Sequence, residues 1–141
     1  LKGLEEIPTF RPISISLESV DYNFKGDLTF FLVLNGKYAG GFKKIAPKAS
    51  IRDGKFDVIL FKNYNLPVLA KLFVKLLRGE HINDPEVIFF QTDKLIIKPY
   101  LSKNPIMTDI DGEAGPPLPL YIENNPKVLS IIVNDERKEL L

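Results

Sequence analysis

A mainly β fold, an antiparallel β-sandwich or distorted barrel with one amphipathic helix, is what the sequence predicts. Three observations lead there. Short apolar segments with period-two alternation recur along the chain, turn residues separate them at short intervals, and only one segment has the period of a helix. An alternating βαβ plan would need several such helices.

The first strand lies in Arg11 to Val20, where Ile13, Ile15 and Leu17 face one way and Ser14, Ser16 and Glu18 the other. A polar turn through Asp21, Asn23, Lys25, Gly26 and Asp27 leads into Leu28 to Leu34, an apolar run suited to a sheet centre, and the pair reads as a hairpin. Asn35-Gly36 runs into Lys37-Tyr38-Ala39-Gly40-Gly41-Phe42, too rich in glycine for a strand, so a loop is expected whose backbone comes close to something. Asp53-Gly54 marks a turn before the strand Phe56 to Phe61.

The helix follows. Leu66, Leu69, Phe73 and Leu76 recur at spacings of three and four, Val68, Leu72 and Leu77 widen the apolar face, and Lys71, Lys75 and Arg78 lie opposite as a solvated basic edge. Asn65 caps it, Pro67 falls in the first turn and Gly79 stops it. A helix packed on a sheet is the expectation, with a membrane-surface helix as the competing one. Val87 to Phe90 and Leu95 to Ile97, across Thr92-Asp93, read as a second hairpin, Leu118, Leu120 and Ile122 alternate again, and Val128 to Val133 reads as a final strand.

Composition narrows the chemistry. The 141 residues carry 19 Lys plus Arg against 18 Asp plus Glu, so no global field favours nucleic acid or an anionic membrane, any basic footprint must be local, and no nucleic-acid partner is expected. Cysteine is absent, which removes disulfides, thiolate metal sites and a Cys nucleophile. The single histidine, His81, removes His-pair zinc sites; it reads as a structural or solvated residue at a helix exit, where a cation suits the dipole. The longest apolar run, Phe30 to Leu34, is far short of the roughly 20 residues of a membrane span. The opening Leu1-Lys2-Gly3-Leu4 suggests a piece of a longer protein.

Two acidic loops remain. Asp53-Gly54 can present a carboxylate beside backbone carbonyls to a hard cation, or be a plain hairpin turn. In Thr108-Asp109-Ile110-Asp111-Gly112-Glu113, an extended backbone would put Asp109, Asp111 and Glu113 on one side, and those like charges would need a metal ion, a proton-donating hydroxyl or a lysine. The glycine there suggests close approach to a ligand, and a solvated turn is the alternative.

Three blocks, Asn35-Gly36-Lys37-Tyr38-Ala39-Gly40-Gly41-Phe42, then Ala46-Pro47-Lys48-Ala49-Ser50-Ile51-Arg52-Asp53-Gly54-Lys55-Phe56-Asp57-Val58, then Asp111-Gly112-Glu113, resemble the C-terminal domain of the bacterial diacylglycerol kinase family, which is related to sphingosine kinases. The likeness runs from about Phe10 to Val133, with the helix between the second and third blocks. The run Gly41-Phe42-Lys43-Lys44 departs slightly, since many members carry an extra glycine before the Phe. The resemblance implies residues 1–133 as the β-rich second domain of a two-domain lipid kinase, and 134–141 as the start of a segment returning to an N-terminal nucleotide-binding domain. That domain's Gly-Gly-Asp-Gly-Thr motif does not occur here.

Further expectations follow from the resemblance alone. An ATP- and magnesium-dependent transfer to the hydroxyl of diacylglycerol or a related membrane lipid would give phosphatidic acid at the cleft between the domains. Asp111 would be the general base, Glu113 its partner at the metal-bound nucleotide, and Gly112 would give clearance at the nucleotide. A structural Mg2+ would take the Asp53 carboxylate and the carbonyls of Ser50 and Lys55. The parent chain would be cytoplasmic, peripheral to the inner face of the membrane, with a homodimer as one arrangement; Lys43, Lys44, Lys48, Arg52 and Lys55 give a local basic stretch that would dock it there, and solvated loop lysines are the favoured alternative. The isolated fragment would be inactive. The rival readings are a non-catalytic lipid- or nucleotide-binding protein of the same fold, and an NAD-kinase-like enzyme.

Overall fold

The computed structural model describes residues 11–42, 44–62, 65–128 and 130. In chain order the elements are β1 (Ile13–Ser19), β2 (Asn23–Leu34), β3 (Phe56–Lys62), α1 (Leu66–Arg78), a 3-10 turn (His81–Asn83), β4 (Val87–Thr92), β5 (Lys94–Pro99), β6 (Asp109–Ile110), β7 (Glu113–Ala114) and β8 (Leu120–Glu123). Six strands form one antiparallel sheet in the order β4-β3-β2-β1-β5-β8, and β6 with β7 forms a separate ribbon. The mainly β expectation holds.

The β1–β2 hairpin is as read, but its turn is shorter than expected, because Glu18 already pairs with Asn23. Asn23, Lys25 and Asp27 are exposed strand residues alternating with Phe24, Gly26 and Leu28, which are covered. Polar identity alone had suggested a turn where the pleat simply places every second residue in solvent.

The second hairpin is corrected. β4 and β5 are separated only by Asp93, yet β4 pairs with β3 and β5 with β1 and β8. Two strands four places apart in the sheet order are thus joined by one residue, so the sheet must roll until those places meet. Other contacts close the same rim: Asn124 Nδ2 donates to Asn35 Oδ1 at 3.3 Å, and Gly54 lies against the Pro126 ring. The Tyr22 ring, in the β1–β2 turn, stacks on Phe90 of β4 with centroids 5.0 Å apart.

Inside the roll lies one core, built from Ile15, Leu17, Leu28, Val58, Leu60, Phe90, Leu95, Ile97 and Leu118. A second core lies on the outer face of β2, β3 and β4, where Ile59, Phe61 and Val87 meet Leu72 and Leu76 of α1 and Ile45, Ala46 and Ala49 of the β2–β3 connection. Strand β2 serves both. Leu28 pairs with Lys62 but Phe30 pairs with Phe61, so Thr29 is an extra residue, a β-bulge. The buried Thr29 hydroxyl donates to the Lys62 carbonyl at 2.9 Å. Beyond the bulge Phe31 and Val33 face the inner core, and Phe30, Leu32 and Leu34 the outer one.

Helix α1 begins and ends where its sequence says. Asn65 Oδ1 accepts from the Val68 amide, and Gly79 adopts φ 74°, with its own amide bonded to the Leu76 carbonyl and that of Glu80 to the Lys75 carbonyl. A Cβ at Gly79 would also lie 2.8 Å from that of Lys44. The buried face differs from the expected one: Val68, Leu72 and Leu76 pack inward, while Leu66 and Leu77 are exposed. The wide apolar arc left its centre ambiguous, and the packing partners on β3 and β4 choose it.

Nor is the basic edge simply solvated. Lys75 and Lys71 both reach the fully buried Asp84 carboxylate, at 2.6 and 3.4 Å, pinning the helix to the turn that follows it. Asp84 Oδ1 also accepts from the Glu86 amide at 3.0 Å. The Lys75 hydrogen bond, then the Glu86 amide, outweigh burial and hold this carboxyl down at about 2. A depressed carboxyl stabilises the fold above its unfolded value near 3.8 and loses that contribution as pH falls toward 2. Asp84→Asn is therefore expected to cost roughly 1–3 kcal/mol at neutral pH. Urea unfolding from neutral to acid pH checks this: the gap between wild type and variant should narrow below about pH 4. A gap independent of pH would remove the ion pairs as its cause.

His81 is fully buried, with Nε2 2.8 Å from the Ile45 carbonyl and its ring stacked near Phe61. Burial lowers its pKa despite that hydrogen bond, so the residue is a neutral clamp on the β2–β3 connection. The dipole-compensating cation expected at this position is not what the fold uses. Val128 lies in a bend, exposed, and Ser130 outside any strand; the rest of the expected strand to Val133, apart from these two, lies outside the described residues, as does 134–141.

Candidate functional site

The β2–β3 connection carries the first two sequence blocks. Ala39 and Phe42 form a bridge around Gly40 and Gly41, whose φ values of 56° and 82° explain the glycine pair. A Cβ on Gly41 would meet nothing within 4 Å, so turn geometry, rather than the expected close approach, requires it. Phe42 packs edge-on against Phe73 of α1, at 6.3 Å between centroids. Beyond it, Ile45, Ala46 and Ala49 are sunk in the outer core. This anchoring leaves the next residues, Ser50 to Lys55, as a loop on a fixed base.

That loop holds the three expected metal-site residues together. The Asp53 amide bonds to the Ser50 carbonyl at 3.5 Å, and Asp53 Oδ1 accepts from the Lys55 amide at 2.9 Å. Asp53 is exposed, and Gly54 takes φ 72°. One carboxylate and two carbonyls are hard oxygen donors of the kind magnesium accepts, with water completing its shell. The donor set fits such an ion.

Sequence reasoning assigned no role to Asp57, which the fold places beside this loop. It is fully buried at the start of β3, with Oδ1 accepting from Gln91 Nε2 at 2.6 Å and Oδ2 unpartnered among the described residues. Burial chiefly raises its pKa, with repulsion from Asp53 adding to this, while the Gln91 hydrogen bond and Lys48 act the other way. The available signal was an acid inside the apolar strand Phe56 to Phe61, a place where carboxylates are rare unless paired.

The residues of the expected basic stretch that the structure describes have different surroundings. Lys44 lays its stem against the end of α1, and the Lys48 ammonium sits 5.1 Å over the Phe89 ring. Arg52 and Lys55 are exposed on the Asp53 loop, and Lys43 lies outside the described residues.

The third block forms the tip of the β6–β7 ribbon. Ile110 pairs with Glu113, and between them Asp111 and Gly112 adopt φ 54° and 88°, a two-residue turn with both central residues left-handed. The backbone is therefore not extended at Asp111. Asp109 and Glu113 lie on opposite faces of the ribbon, so the three carboxylates do not converge as an extended stretch would have made them. Asp109 Oδ1 instead accepts from the Gly112 amide at 2.8 Å and stiffens the turn. At the base, Gly115 donates to the Thr108 carbonyl at 2.8 Å and Thr108 Oγ1 to the Pro116 carbonyl at 2.6 Å. Asp111, Gly112 and Glu113 are all exposed. Among the described residues no hydrogen bond or ion pair joins this tip to the Asp53 loop. The candidate site residues thus lie on two separate elements, an oxygen-rich loop and an acidic tip.

Comparison with known proteins identifies what the chain as a whole is similar to. Residues 1–133 match the family described as the YegS C-terminal NAD kinase beta sandwich-like domain. The chain is 34% identical over 141 residues to a diacylglycerol kinase of Bacillus subtilis (strain 168), covering 100% of this chain and 46% of that protein. It is 31% identical over 142 residues to a diacylglycerol kinase of Staphylococcus aureus (strain JH9), covering 96% of this chain and 44% of that one. A solved diacylglycerol kinase structure from Bacillus anthracis str. Sterne superposes with a TM-score of 0.67 at 19% identity, over 89% of this chain and 47% of that one, and so shares the fold. The chain spans about half the length of the curated relatives it matches.

Proposed function

Because this chain belongs to the family of YegS C-terminal NAD kinase beta sandwich-like domains, we propose that it is the β-rich half of an ATP-dependent lipid kinase, acting on the hydroxyl of diacylglycerol or a related membrane lipid to give phosphatidic acid. The observation that carries this reading is the Asp111-Gly112-Glu113 turn: two carboxylates held at the exposed end of a hydrogen-bonded ribbon, on a chain similar to proteins named diacylglycerol kinase.

Phosphoryl transfer asks a protein chiefly for positioning, charge compensation and a group to orient or deprotonate the attacking hydroxyl. In this reading Asp111 takes the lipid hydroxyl proton as its oxygen bonds to the γ-phosphorus and ADP leaves. Glu113 faces the metal-bound nucleotide, and the missing side chain of Gly112 leaves room there. The remaining nucleotide contacts belong to an N-terminal domain, the partner of this half. Among the described residues no helix is long and apolar enough to cross a membrane, and the reading places the enzyme at the membrane surface on the cytoplasmic side.

Labelled-ATP transfer by the full-length parent protein to short-chain diacylglycerol, sphingosine and NAD tests the reading. Transfer to one lipid supports it. Transfer to NAD alone would make the parent an NAD kinase, and none to any acceptor by a folded, ATP-binding parent would favour a binding protein.

The Asp53 loop would hold a structural Mg2+ through the Asp53 carboxylate and the Ser50 and Lys55 carbonyls, fixing the loop by charge compensation. An ion bound only by the folded state raises stability by about 2.7 kcal/mol at a hundred times its dissociation constant. Millimolar magnesium is therefore expected to raise the unfolding midpoint of the wild type and leave that of Asp53→Asn unmoved. Equal responses of the two proteins to magnesium would dismiss the site.

A further inference from the structure

Helix α1 is apolar on two sides. Val68, Leu72 and Leu76 face the outer core. The opposite side exposes Leu66 by 54%, Val74 by 47% and Leu77 by 57%, with the exposed Ala70 between them. At 100° per residue, positions 66, 70, 74 and 77 span one continuous arc, and Arg78 and Lys71 border it. A surface helix normally turns its polar side outward, so a second apolar side marks a candidate docking face.

From this we propose that the outer face of α1 docks on an anionic lipid surface, with Leu66, Val74 and Leu77 entering the headgroup boundary and Arg78 at its border. Two observations choose this occupant. The first is charge. The helix LPVLAKLFVKLLR contains three cations and no acid, and Lys44 lays its stem against its C-terminal end. Lys71 and Lys75 offset the buried Asp84, whereas Arg78 has no ion pair among the described residues. Glu80, just past the cap, is the exposed acid next in sequence. The second is area: three half-exposed side chains offer a few hundred Å², well short of the ~800 Å² each partner contributes to a standard protein interface. Peripheral lipid binding needs only a few inserted side chains and neighbouring cations.

The inference deepens the lipid-kinase reading and rests on it for its biological meaning, but it can fail separately. Sedimentation of the full-length parent with phosphatidylcholine vesicles, with and without a minority of phosphatidylglycerol, reads the docking directly. The Val74→Gln/Leu77→Gln variant, altered only at exposed positions, is expected to bind anionic vesicles at least about tenfold more weakly. Arg78→Gln should weaken binding about fivefold and reduce its salt dependence. Both variants should phosphorylate a water-soluble short-chain diacylglycerol at the wild-type rate. Unchanged vesicle binding would overturn the proposal, as would light scattering showing that the double variant dissolves a dimer, since a second copy would then be the occupant. A wild type that binds vesicles but phosphorylates no lipid would sink the kinase reading and leave the docking face standing.

Discussion

Asp111→Asn in the full-length protein is expected to lower lipid phosphorylation by about 10²–10⁴-fold, the usual contribution of a positioned general base. Asparagine is the informative replacement. Asp111 occupies φ 54° in a two-residue turn, a conformation that Asn accepts more readily than any other non-glycine residue with a side chain of this size. The Asp109 carboxylate that holds the Gly112 amide is untouched. The variant thus removes the proton acceptor and keeps the turn, so its unfolding midpoint should match the wild type. Alanine confounds the two effects, because it strains the left-handed position. Turnover within a few-fold of wild type in Asp111→Asn would exclude Asp111 as the base, whatever the identity of the lipid.

The largest effect on folding should come from Phe61→Ala. Phe61 is 2% exposed, stacks on Phe30 across the β2–β3 pair at 4.2 Å between centroids, and lies against the neutral ring of His81. It joins the sheet, α1 and the clamp on the β2–β3 connection at one point. Deleting such a ring typically costs about 3–5 kcal/mol through lost burial and the cavity left behind. For a chain of this size that corresponds to a midpoint lower by on the order of 10–20 °C. Tyr121→Ala, at a ring 73% exposed on β8, is the matched control and should shift it little. Calorimetry decides between them: similar small shifts for both would mean that the outer core contributes far less than its packing suggests.

What could be read in advance followed from local physics. Asn65, Pro67 and Gly79 bracket α1 because capping chemistry is local, and the β1–β2 hairpin follows from period-two alternation over adjacent segments. Hairpin logic then failed at Thr92-Asp93-Lys94, since sequence adjacency predicts pairing only when the strands reverse, and here the chain crosses the rim of a rolled sheet. The Asp84 anchor was illegible because its partners, Lys71 and Lys75, are chosen by how the 3-10 turn folds back on the helix. Of the site, the residue types and the two loops were visible. The conformation of the acidic tip was not, because Asp-Gly supports both an extended stretch and a left-handed turn, and the pairing of Ile110 with Glu113 selects the turn. Asp57 was hidden for the opposite reason: its strand was predicted correctly, and burial then gave a carboxyl properties that strand membership does not reveal.

The extra residue at Thr29 makes the chain's count as important as its composition. An even number of positions would separate Leu28 from Phe30 on an unbroken pleat and send both to the same core; the inserted position sends them to different ones. Flattening the bulge into a regular ladder with Thr29 counted as an ordinary position would leave every apolar side chain in place along the chain and invert the address of those that follow, delivering Phe30, Leu32 and Leu34 to the interior of the roll and Phe31 and Val33 to the helix. Substitutions along β2 are local errors that neighbouring side chains can absorb. A slip of register is a parity error, felt at once by both cores and, through the chain that leaves Leu34, by the loop that carries Asp53.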